Sequence, residues 1–151
     1  MDWLTAETVI RAHIETQWAS GAYAAIPLEF DNENGVYAER YVAVSIEGVY
    51  AEKTLYGSAG KRSSVEAGVI FFHAFTPTGS GKTEATGAVQ AMTTMLELQT
   101  LGSGAIKLEG GAPPSPIEYG SEFDRGLPRA QPGGNYYRCS GSVPFVVIDS
   151  R

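Results

Sequence analysis

Hydrophobic and polar positions alternate at two different periods along this chain. From Thr5 to about Ser20, Leu4, Val9 or Ile10, Ile14 and Trp18 fall on one stripe at a helical spacing. Thr5 is placed to cap this helix, Glu7 suits the positive end of its dipole, and Gly21 ends it. A short strand, IPLEF, follows and breaks at the turn signal DNENG. In YVAVSIEG the period drops to two, with Val42, Val44 and Ile46 on one face of a half-buried strand. The polar YGSAGKRSS reads as an exposed hairpin loop. The next strand, from about Ser64 to Phe75, becomes apolar on both faces after Gly68 and predicts a central strand covered on two sides, by a helix, another sheet or a neighbouring subunit.

A second helix is predicted from about Thr83 to Gln99, its stripe formed by Ala85, Ala88 or Val89, Met92 and Leu96. Gly87 weakens it by ~1 kcal/mol relative to alanine, and Gly102 stops it. Beyond lie AIKLEG, the proline-rich GAPPSPIEYG, a long polar loop and a last strand pair within NYYRCSGSVPFVVID. The order αβββαββ defines an α+β domain with a small, mostly antiparallel or mixed sheet packed with two helices. The 151 residues suit one domain, 1–151, long enough to bury a core but not two.

Composition narrows the possible roles. Eighteen glycines and eight prolines favour hairpins and long loops over helix. A net charge of −6 disfavours coating a duplex, a task done with Lys and Arg. Cys139 is the only cysteine, so no internal disulfide can form. The opening MDWLTAET lacks the basic flank and apolar stretch of a signal peptide. No apolar run approaches the ~18 residues of a membrane span. These features predict a soluble chain made in the cytoplasm.

The stretch FTPTGSGKT, Phe75 to Thr83, raises the one sharp chemical possibility. Strand, glycine-rich loop, Gly-Lys-Thr and helix is how a phosphate-binding loop is built, with Gly79, Gly81, Lys82 and Thr83 matching the pattern. FVVID, Phe145–Asp149, would supply the magnesium aspartate of such a protein. Three features oppose nucleotide binding. Thr76 stands where the pattern needs a glycine. No helical crossover appears between Gly102 and Ser142 to make parallel strands. Pro144 interrupts the aspartate strand and demotes it to an edge or irregular strand. The competing reading is a connection whose Lys82 is solvated and whose Thr83 caps the second helix.

The remaining catalytic inventory is sparse. His13 and His73 have no clustered ligand partners, so no metal is expected, and no GxSxG elbow starts a hydrolase triad. Glu66, Glu84, Glu109 and Glu118 are scattered as solvated surface carboxylates are. No cofactor is expected, and the sequence points to a structural or binding protein rather than an enzyme.

Over nearly its whole length the pattern resembles the phage tail terminator family, the lambda gpU-like proteins and their relatives in siphophages and gene transfer agents. The residues that carry the resemblance are the short helix in TVIRAHIETQW, the strand YVAVSIEG, the strand, proline loop and helix of GVIFFHAFTPTGSGKTEATGAVQAM, and the aromatic final strand NYYRCSGSVPFVV. These are loose patterns of apolar and turn residues rather than fixed side chains. The resemblance implies a virion protein assembled in the host cytoplasm, forming a homo-hexameric ring on the head-proximal end of the tail tube. Its partners would be itself, the major tail tube protein and a head-completion or connector protein, with DNA passing through the lumen unbound. A net negative lining would let DNA slide. Candidate ring contacts are Lys53, Lys61 and Arg62 in one loop and Glu122, Asp124, Arg125 and Arg129 in another, where opposite charges can pair between neighbours. A solvated loop is the competing role of each. Another head–tail adaptor or a minor tail protein remains the alternative within the same class.

Overall fold

The computed structural model describes residues 1–30, 40–54, 63–77, 81–117 and 136–150. Helix α1 runs from Trp3 to Ala19, followed by strands β1 (Leu28–Phe30), β2 (Tyr41–Thr54) and β3 (Ser63–Pro77). Helix α2 is Gly81–Leu96. After it come β4 (Thr100–Leu101), a 3₁₀ turn at Gly102–Gly104, β5 (Ile106–Leu108), β6 (Ser115–Ile117) and β7 (Tyr136–Ser150). Among the described residues no helix is long and apolar enough to cross a membrane.

One sheet holds all seven strands in the order β1-β2-β3-β7-β5-β4, with β6 pairing β7 off this path. The β1–β2 pair is parallel and every other pair is antiparallel. The α+β class with two helices on a mixed sheet is therefore the one the sequence pattern indicates. The register of β2 on β3 continues to Thr54 opposite Ser63, as a hairpin connection requires.

The C-terminal part departs from expectation. In place of a strand pair, residues 136–150 form one long strand, and β7 lies inside the sheet, between β3 and the pair β5 and β6. Pro144 did not demote it. The Pro144 carbonyl accepts a hydrogen bond from Glu109 N–H at 2.8 Å. The amide and carbonyl of one strand residue point the same way, so the missing N–H faces that same side, past Leu108 where β5 has ended. No ladder bond is lost there.

Both helices start earlier than their sequence signals suggest. Asp2, not Thr5, caps α1, its carboxylate accepting from Thr5 N–H at 2.8 Å. The helix buries Ala6, Ile10, Ile14 and Trp18, while Leu4 falls off the stripe and is 73% exposed. Thr83 lies inside α2, which begins at Gly81, so it does not cap that helix. The α2 stripe is as expected: Ala85, Ala88, Val89, Met92 and Leu96 are all fully buried.

These stripes pack on one face of the sheet. Side chains alternate along a strand, and the helix-side rows read Val42–Ala74–Cys139, Val44–Phe72, Ile46–Ile70–Val143 and Ile106–Val147 across the register. Most of these residues are buried, and they form the core with the two helices. Trp18 Nε1 donates to the Ile26 carbonyl at 2.8 Å, tying the end of α1 to the chain entering β1.

Glycine is needed where α1 meets the sheet. Gly48 and Gly68 are register partners, and the Trp3 ring lies on them while stacking on Phe145 at 5.5 Å. A Cβ at Gly68 would stand 2.5 Å from Phe145 Cζ and 2.7 Å from the Glu47 carbonyl oxygen. The second contact is backbone and cannot rotate away. Gly68→Ala should therefore cost roughly 1–3 kcal/mol, read as a lower urea midpoint at unchanged slope. Gly110→Ala, with open space around its Cβ, should stay within about 0.5 kcal/mol of the parent. Equal midpoints for the two variants would refute the tight packing at Gly68.

Candidate functional site

The phosphate-loop pattern does sit between a strand and a helix, β3 and α2. Its surroundings differ from a nucleotide site. Both neighbours of β3, β2 and β7, are antiparallel to it, whereas that fold needs parallel neighbours joined by crossovers. Thr76, at the position of the first glycine, is still within β3, paired with Tyr137 and buried. Lys82 is exposed in the first turn of α2. Asp149 of the FVVID stretch accepts from the Met1 amino group at 2.6 Å instead of facing the loop. Titration calorimetry with ATP and magnesium should show no binding heat for wild type or Lys82→Ala. A micromolar affinity abolished by the substitution would restore the nucleotide reading.

The other titratable groups are few. Among the described residues no three His, Cys, Asp or Glu side chains gather as metal ligands would. His13 is on α1. Cys139 is buried in β7, and burial pushes its thiol upward, the opposite of an activated nucleophile. His73 and Ser140 are register partners on β3 and β7, hydrogen-bonded at 2.6 Å between Nδ1 and Oγ. Burial, reinforced by the Arg138 guanidinium and opposed by Glu47, lowers the His73 pKa to about 4. The Glu47 carboxylate accepts from the Ser45 hydroxyl at 3.0 Å. A histidine neutral down to such low pH is a weak base, and the pair reads as a cross-strand bond rather than a catalytic dyad.

That histidine has a consequence for stability. The unfolded ring protonates near 6.5 and the folded ring only near 4, so between these values the unfolded state binds the extra proton. Its contribution is fully present above about pH 6.5 and is lost as pH falls towards 4. With the ring only partly shielded, the loss is on the order of 2 kcal/mol. Urea melts of wild type and His73→Asn across this range should converge as pH falls. Parallel curves would mean that His73 titrates normally in the folded chain.

The charged loop residues expected to form contacts are mostly not placed. Lys53 is in β2 with its backbone opposite Ser64. Lys61, Arg62, Glu122, Asp124, Arg125 and Arg129 lie outside the described residues.

What the structure does bring together is apolar. On the face of the sheet away from the helices, Val65, Ala67, Val69 and Phe71 of β3 lie beside Pro144, Val146 and Ile148 of β7, all half-buried. The apolar pattern of β3 calls for cover on both faces, by a helix, another sheet or a neighbouring subunit, and among the described residues the helices cover one. Along the outer edge of β2, β1 pairs only with residues 42–44, and among the described residues no strand pairs with that edge beyond Val44. A bulge between Gly48 and Tyr50 shifts the register there. At it Val49 is 63% and Tyr50 58% exposed. Leu98, 78% exposed, follows α2 at the far side of the sheet. Nothing in the residue pattern signals these exposures. Val49 and Tyr50 continue an ordinary strand, and Leu98 continues the helical run.

No protein-family model matches this sequence, and no curated protein sequence does. The fold is similar to that of a solved protein that carries no functional name. The two are 17% identical, with a TM-score of 0.57 over 93% of this chain and 94% of that one. This similarity extends over the whole architecture and speaks to the fold alone.

Proposed function

We propose that this protein is a tail terminator, a structural virion protein that forms a ring on the head-proximal end of a tail tube. The ring stops tube growth and offers its other face to a head-completion or connector protein. The observation that supports this reading is the one-sided cover of the sheet among the described residues: a central strand apolar on both faces, with the described helices on one face only. Such a surface suits a chain whose remaining cover comes from other copies or from the tube. The α+β architecture is the one the resemblance to terminators implies.

A tube grows by adding like rings until its end no longer offers a template. Ending it takes a subunit with one face matching the tube and another that does not, which is a demand on surfaces rather than on a pocket. Deleting the gene should give tails of irregular, excessive length and heads that fail to join them. Tails of normal length on heads in the deletion strain would sink the assignment and favour a peripheral minor tail protein.

A further inference from the structure

We draw no further inference here: the strongest candidate, the half-buried apolar face that β3 and β7 turn away from the helices, carries none because nothing among the described residues shows what covers it.

Discussion

The cover of β3 is the constraint on which the rest of this structure depends. Residues 65–75 carry apolar side chains to both faces of the sheet, and burying both faces takes two layers. The described residues provide one. The α1 and α2 stripes close over Ile70, Phe72 and Val143 and leave Val69, Phe71, Val146 and Ile148 half-buried on the other side. With two helices and no second sheet among the described elements, a fold of this kind is complete as a core and incomplete as a surface.

That constraint also accounts for the glycines at the contact between helix and sheet. Trp3 can reach Phe145 only because Gly48 and Gly68, opposite each other in the register, hold no side chains beneath its ring. Gly141 plays a similar part under Phe72 and Val89. Removing side chains from the sheet lets large ones from the helices and neighbouring strands settle closely, which increases packing on the covered face. It does nothing for the open one.

The parts of the fold that repeat were legible in the sequence, because periodicity is set by burial. The α2 stripe and the alternation of Val42, Val44 and Ile46 could be read directly, since each buried position recurs at its element's own period. Single local bonds carried no such signal. A threonine before a helical stripe is a good cap, which points to Thr5, but the Asp2 carboxylate, three residues earlier, makes the bond. Pro144 reads as a breaker because a proline lacks a donor. Whether that donor is needed depends on which neighbour it faces, and this is a property of the register with residues far away in sequence. The surface was least legible. A bulge is a mismatch in the count between two strands, and neither strand alone reveals it. The charged candidates lie in loops, whereas the large apolar side chains most exposed among the described residues lie at the bulge within β2 and near the ends of the two helices.

The bulge also bears on how a chain with an open edge avoids unlimited growth. A straight edge with free donors and acceptors can add any extended segment, and the added strand presents a fresh edge in turn. Assembly by that route has no natural end. A contact between unlike side-chain patches is limited by geometry: each copy turns the next by a fixed angle, and the series either closes or continues as a filament. A ring-former therefore gains from spoiling its own strand edge while keeping apolar side chains beside it. The bulge at Gly48–Tyr50 does both with one extra residue. It shifts the register of β2 on β3 and leaves Val49 and Tyr50 in solvent, so that side chains rather than a regular row of backbone donors and acceptors meet the water along that edge.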